Sequence, residues 1–539
     1  MNKTEVKSLI SRYEGLEAKS RVWWKTHWSE ISRYVLANYD DVYSTQVPGE
    51  KKSNSSKIFD TTAYQSLKLL AAGLHSMLTN PSIPFFGLTT GMEELDSDEE
   101  VRDWLQKASN SMHAVLNGSN FQTEIHETYI GLAGFGTSVT FMDEDKKDKF
   151  RCHTKPIYYC VIDENHQGVV DTVGHTFKWD IRKIIKKFGI ESLPKQWVES
   201  GLTDSRLSEQ HTVLHMVYPR SDVKMDSEGN AMPGPKNMPF ASIYILKDVE
   251  HPLSESGFHE FPYLVPRWLK LPGETYGRSP TMDALPDIKM INAMAKVNIE
   301  AMQLAVRPPL QREDDGVNQI INYTPGATNL TRAGSKGITP INTGANPKLG
   351  EELMLPVKER IKQHFFLNQL QLAENNPQMT ATEVLQRTDE KLRIMAPILA
   401  RQHYELLKPL VDRLFGIMLR NKLLPPKIPA KLSNVNIQVQ YSSMIARAQK
   451  AVNAETVTRV LGLMGGLMQV KPDILDNLNT DETFLYVSEI SGLPQKLLNG
   501  RAKTEQIRNG RMEQAKQQEQ MQQVQVAADV AQKTQGIAQ

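Results

Sequence analysis

At 539 residues the chain is too long for one hydrophobic core and should fold as several structural regions. Its 40% hydrophobic and 23% charged content is that of an ordinary globular protein, which argues against global disorder and against a membrane-embedded chain. The formal charge of +1 lacks the excess of cations that a tight nucleic-acid binder concentrates on its surface, so any grip on DNA should be loose.

The start, Met1 to Val6, is charged and does not read as a secretory signal. The longest apolar stretch, Val460 to Met468, is too short to span a bilayer. These two features predict a cytoplasmic protein with no membrane contact. Val6, Leu9, Ile10, Tyr13 and Leu16 recur at helical spacing, and Trp24, Trp28, Ile31 and Val35 form one stripe of a second helix, Val22 to Tyr39. A Trp/Ile stripe of this kind is expected to be packing rather than a base-stacking platform.

Helices are expected at Thr61 to Leu78 and Asp98 to Leu116, the second opened by a capping box between Ser97 and Glu100. From Thr137 the period changes to that of strands: Ser138 to Met142, Phe150 to Ile162, Val169 to Trp179, Thr212 to Tyr218, Ala241 to Lys247 and Tyr263 to Leu271. A basic helix, Asp180 to Phe188, interrupts them, and Ser221 to Pro239 reads as a surface loop. The first half is therefore mixed α+β.

Ser279-Pro280 is a helix start, and an uninterrupted run from Asp287 to Val306 predicts a rod of ~30 Å with Leu285, Ile288, Ala295, Ile299 and Met302 on its packing face. Lys289, Asn292, Lys296 and Glu300 mark a polar face. The Gly/Pro/Asn-rich stretch from Gln311 to Gly350 is an insert of turns with room only for short strands at Asn318 to Tyr323 and Gly337 to Ile341. Helix is expected again from Pro356 to Ala373, then a polar loop from Glu374 to Met379. A capping box at Thr380 and Glu383 opens a long helix to Leu423, bent by Pro397 and Pro409. One strand, Val435 to Tyr441, should return to the sheet of the first half. Helices follow at Ile445 to Met468, at Asp481 to Ser488 and from Pro494, before a Gln-rich tail that cannot bury much surface.

Catalytic signatures are missing. No phosphate loop is present, and Gly131-Leu-Ala-Gly-Phe-Gly136 lies between a helix and a strand, the reverse of the order that a dinucleotide site needs. His211 and His215 share metal-pair spacing only on a helix, yet sit in a strand. Cys152 and Cys160 lack zinc spacing, and the acidic runs Glu93 to Glu100 and Asp143 to Asp148 read as solvated charge. The expectation is no enzyme, no metal and no cofactor.

Tyr276 to Pro280 together with Met282 to Ile288, followed by Gln369 to Glu374 and Thr380 to Val384, resembles the portal proteins, or head-to-tail connectors, of short-tailed bacteriophages. Trp23-Trp24 and Lys57-Ile-Phe-Asp60 extend the likeness to most of the chain. The resemblance implies a predominantly helical α+β portal fold assembled as a twelve-subunit ring: a wing at residues 1–275, a first stem helix at 276–306, a clip at 307–350 and a second stem helix at 351–373. A channel loop, bent helix and return strand would occupy 374–441, a helical crown 442–500, and a Gln-rich helix or tail 501–539.

It further implies a conduit at one capsid vertex for packaging and ejection of double-stranded DNA, found in the virion and, during assembly, in the host cytoplasm. The implied partners are the terminase large subunit, major capsid protein, scaffolding protein, tail adaptor and internal core proteins. Asn375, Asn376 and Gln378 would touch DNA weakly. Lys289, Lys296, Lys358, Arg360 and Lys362 are candidate channel-facing cations, with ion pairing to Glu300 or Glu359 of a neighbouring subunit as the alternative. Arg312, Arg332 and Lys336 would lie on the clip docking surface. Another virion component, such as a tail adaptor or core protein, is the competing reading, and the missing phosphate loop disfavours a packaging ATPase.

Overall fold

A computed structural model describes residues 2–36, 58–96, 98–145, 149–201, 203–221, 234–306, 310–311, 334, 339–340, 347–370, 394–432 and 437–441, and short helical pieces between 457 and 517. The chain forms two compact units. The larger comprises Met1–Leu88, Gln106–Lys427 and Val439–Tyr441; the smaller comprises Thr89–Leu105, Ile428–Gln438 and Ser442–Gln539.

The larger unit is organised on a five-stranded antiparallel sheet in the order β4-β5-β6-β7-β8, formed by Cys160–Glu164, Val170–Asp180, Gln210–Pro219, Phe240–Leu246 and His251–Phe258. Strands β6 and β7 carry long apolar runs because both faces are covered. Leu214, Met216, Ala241, Ile243 and Ile245 point to helix α1 (Lys3–Leu16), where Val6, Leu9, Ile10 and Tyr13 meet them. Val213, Tyr244 and Leu246 point the other way, onto Ile181 and Ile184 of the basic helix Ile181–Phe188. The last strand was not expected, since Pro252 and Gly257 break its apolar pattern; Pro is tolerated there because β8 is an edge strand.

A second sheet, in the order β3-β2-β9, joins Arg151–Lys155, Val139–Asp143 and Tyr263–Leu264. The expected strand from Tyr263 to Leu271 is cut to two residues, because Pro262 and Pro266 remove ladder donors; beyond it the chain keeps only isolated bridges, Thr137 to Arg267 and Leu269 to Arg278. The strand Gln438–Tyr441 (β12) does return to the first half, but it pairs with the short strand Phe86–Thr89 (β1) rather than joining the large sheet.

Helix α5 (Phe121–Phe135) packs against β2 and β3, and helices α2 (Val22–Tyr34) and α3 (Thr62–Leu78) pack on α5. Helices α1 and α2 are continuous through a π-helical turn, Glu17–Arg21. Trp28 is fully buried and its indole N–H donates to the Phe135 carbonyl, so the Trp stripe is packing, as expected. The Gly131–Gly136 run is the last turn of α5 with Gly136 as its left-handed cap, a helix-to-strand turn and not a cofactor loop. Helix α4 (Glu99–Asn117) is capped by Asp98, whose carboxylate accepts the N–H groups of Glu100 and Val101. Ser97 of the expected capping box lies outside the described residues.

Helix α7 (Pro280–Val306) starts where the Ser-Pro pair placed it. Helix α8 (Pro347–His364) begins nine residues before Pro356, so the expected helix start at Pro356 is corrected. Pro347 is pre-organised for a helix start, and Pro356 sits within the helix instead of opening it. A break at Phe366, whose φ is +56°, separates α8 from a short turn, Leu367–Leu370. Residues 394–402 are helical and pass through a π turn, His403–Leu407, into α9 (Lys408–Arg420). Pro409 lacks the N–H that would bond to Glu405, and the wider turn accommodates that loss. The insert's described residues form one two-residue ladder between Leu310–Gln311 and Thr339–Pro340. Among the described residues no helix is long and apolar enough to cross a membrane.

His175 and His215 are buried in the large sheet. His215 stacks flat on Tyr244 with ring centroids 4.0 Å apart and bonds to Tyr263 and Ser242. Desolvation first, then nearby cations, holds both imidazoles well below their ordinary pKa, so they are neutral when folded. The unfolded chain therefore binds more protons below pH ~6.5. Thermal melts should be insensitive to these groups above that pH and lose about 1.4 kcal/mol per pH unit for each imidazole below it; a melting temperature flat from pH 7.5 to 5 would contradict this.

Candidate functional site

The α7–α8 hairpin is the candidate site, and its root is built from the Tyr276 to Pro280 motif. Tyr276 is buried between Trp24 and Trp28, and its hydroxyl accepts the N–H of Ile162 at 3.2 Å. Gly277 passes so close to Gly136 that a Cβ on Gly136 would lie 2.2 Å from the Gly277 carbonyl oxygen. Ser279 caps α7 by accepting the Met282 N–H, while its own hydroxyl donates to Gly134; Thr281 donates to Ala133. The motif thus plugs the first turn of α7 into the end of α5.

Further along, residues 58–60 staple the two hairpin helices. The Phe59 N–H donates to Asn292 of α7 at 2.7 Å, and Asp60 pairs with Lys358 of α8 at 3.3 Å. Phe59 and Asp60 of the Lys57-Ile-Phe-Asp60 motif act here as a clamp, while Lys57 lies outside the described residues.

Each of the five candidate channel cations has a carboxylate within its own chain. Lys289 pairs with Glu30 at 2.8 Å, Lys296 with Glu300 at 3.9 Å, Arg360 with Asp287 at 2.9 Å and Lys362 with Glu359 at 2.6 Å; Lys358 has Asp60. Hydrogen bonding to Asp287 raises the pKa of Arg360. The expected packing face of α7 also ends early: Leu285, Ile288 and Ala295 are buried, whereas Ile299 and Met302 are exposed. Asn375, Asn376 and Gln378, and also Arg312, Arg332 and Lys336, lie outside the described residues.

Two charged clusters hold the helix through 394–420 to the sheets, and neither was expected from sequence. Arg267, with 3% of its side chain exposed, directs Nε and Nη2 to Glu405 at 3.1 and 2.7 Å, Nη2 also to the Gly168 carbonyl at 3.1 Å, and Nη1 to Glu164 and the Thr275 carbonyl. Its backbone N–H also reaches Glu405, and its carbonyl accepts from Gln402. The only sequence cue is a cation inside the apolar run from Tyr263 to Leu269.

In the second cluster, Arg413 and Arg420 grip Glu260 at 2.8 and 2.6 Å, with Glu144 beside Arg420 at 2.9 Å. The pKa of Glu260 stays low because bonds and charge from Arg420 and Arg413 outweigh its desolvation. A Cβ on Gly416 would lie 2.2 Å from the Glu260 carboxylate, so this glycine is the notch that admits it.

No group of metal-ligating side chains is present among the described residues. Asp96 accepts bonds from Thr89 and Thr90, and Asp98 pairs with Lys431, which accounts for two members of the first acidic run.

A family model described as bacteriophage head to tail connecting protein matches residues 6–498. The chain belongs to that family. Within it, the chain is 31% identical over 540 residues to a probable portal protein of Bordetella phage BPP-1, covering 98% of this chain and 95% of that one. It is 29% identical over 544 residues, with the same coverage, to the portal protein of Salmonella phage epsilon15. Among solved structures it is similar to a chain from the virion of a native gene transfer agent particle, with a TM-score of 0.40 at 12% identity over 86% of this chain and 99% of that one. The connector match takes in the hairpin, its root, the insert and both charged clusters, and it stops before the Gln-rich tail.

Replacing Arg267 with Ala should leave the half-buried Glu164 and Glu405 with only Lys270 and Arg401 as cationic partners and cost about 3 kcal/mol, read as a lower urea midpoint with unchanged slope; a loss below ~1 kcal/mol would show the cluster to be incidental. Gly416→Ala should cost about 1–3 kcal/mol in the native background and clearly less beside Glu260→Ala, because the clash partner is then gone. Additive losses in that double-mutant cycle would rule out the notch.

Proposed function

We propose that this connector works as a portal: a ring at one capsid vertex through which double-stranded DNA enters and leaves, with the hairpin as its stem. The family match over residues 6–498 carries the reading. On this proposal the wing is the sheet region, the clip is the insert between α7 and α8, the channel loop is Glu374 to Met379 and the crown is residues 442–500, in a ring of twelve. The clip would dock the terminase large subunit and later the tail adaptor; the remaining surfaces would meet the major capsid protein, scaffolding and internal core proteins.

The ion-paired hairpin supports a passive wall. DNA held by many unpaired cations would bind through counterion release and resist sliding. Here the stem cations already have acidic partners, which lowers the charge available to phosphate. Neutral Asn375, Asn376 and Gln378 would touch the backbone without reading sequence.

The salt dependence of duplex binding by the assembled protein tests this. The native chain should show a shallow slope of log affinity against log salt, and Glu300→Gln with Glu359→Gln should steepen it by unpairing Lys296 and Lys362. A steep native slope that these changes leave unmoved would contradict a neutralised stem.

A further inference from the structure

Helix α7 carries two exposed apolar stripes on opposite sides. Ile288, Ile291 and Ala295 are buried against the larger unit, and Ile299, Met302 and Val306 continue the same row past the end of that core, rising to 79% exposure at Val306. Met290, Val297 and Leu304 recur every seven residues and are also exposed, Val297 to 61%. At 3.6 residues per turn the two rows lie about 180° apart around the helix. Helix α8 adds exposed Leu349 and Leu353 on one face and Leu355 well away from them.

Six exposed apolar side chains on one helix are more than scattered surface residues, and their arrangement identifies the occupant. A two-fold dimer uses one patch twice and would leave the opposite stripe bare. Head-to-tail association uses two different patches on every copy, and in a closed ring no patch remains uncovered. We infer that Met290, Val297 and Leu304 of one copy pack against Ile299, Met302 and Val306 of the next, a contact that rests on the ring reading above. The stripes are centred five residues apart, so seating one on the other slides neighbouring hairpins by roughly 7–8 Å along their axes. A closed ring has no net rise, and the slide is taken up as a tilt of each hairpin.

Cysteine cross-linking tests the contact cleanly, because the natural thiols, Cys152 and Cys160, are both buried. Positions 297 and 302 lie on different sides of one helix, so a disulfide between them must join two copies. Mild oxidation of the assembled V297C/M302C chain should give a covalent ladder extending beyond dimer, and each single variant should give none. V297D and M302D, both at exposed positions, should each abolish assembly and leave the far-ultraviolet circular dichroism melt of the monomer intact. Dimers from either single cysteine variant would establish a two-fold contact and overturn the inference. So would rings in electron micrographs without the ladder, which would leave the portal reading standing. Absence of rings from the unmodified chain would overturn both.

Discussion

The buried guanidinium of Arg267 is the constraint on which the rest of the larger unit depends. Its side chain and backbone tie the end of β4 through Glu164, the turn at Gly168, the segment entering α7 and the helix at Glu405 into one charge-assisted network. A buried cation is costly unless its donors are satisfied, and this one spends its Nε, Nη1 and Nη2 atoms on two carboxylates and two carbonyls. The network specifies where three otherwise separate stretches meet.

From that junction the hairpin follows. The chain leaving Arg267 bridges back at Leu269 and Arg278, threads Tyr276 between two tryptophans and crosses Gly136 at Gly277 before Ser279 opens α7. Every step is set by side-chain hydrogen bonds or close backbone approach, so the direction of α7 is fixed at its root. The second cluster, Glu260 with Arg413 and Arg420, holds α9 at a separate point through the notch at Gly416. A hairpin held at its root with ion-paired flanks suits the wall proposed above, past which a polyanion would slide.

Legibility in the sequence follows the range of the forces involved. Local signals are readable: Ser279-Pro280 marks the start of α7, strand-like runs mark β2 and β5 to β7, and the Trp stripe marks packing; the single strand expected from Phe150 to Ile162 is instead two, β3 and β4, in different sheets. Motifs shared with portal proteins pointed to the family because they recur in order along the chain. The start of α8 was misplaced because Pro356 looks like a helix opener, although Pro347 plays that part. Strand β8 was hidden by Pro252 and Gly257, which only an edge position tolerates. Arg267 was invisible as a junction because its partners lie 103 and 138 residues away. The early end of the α7 packing face was equally unreadable, since periodicity does not reveal where the core beneath a helix stops.

The radial position of α7 in an electron-microscopy reconstruction of the assembled protein tests the account most directly. The account predicts a closed ring in which the α7–α8 hairpins stand side by side around a central channel, with the five-stranded sheet farther out. A ring with the sheet lining the channel and the hairpins at its periphery would contradict it.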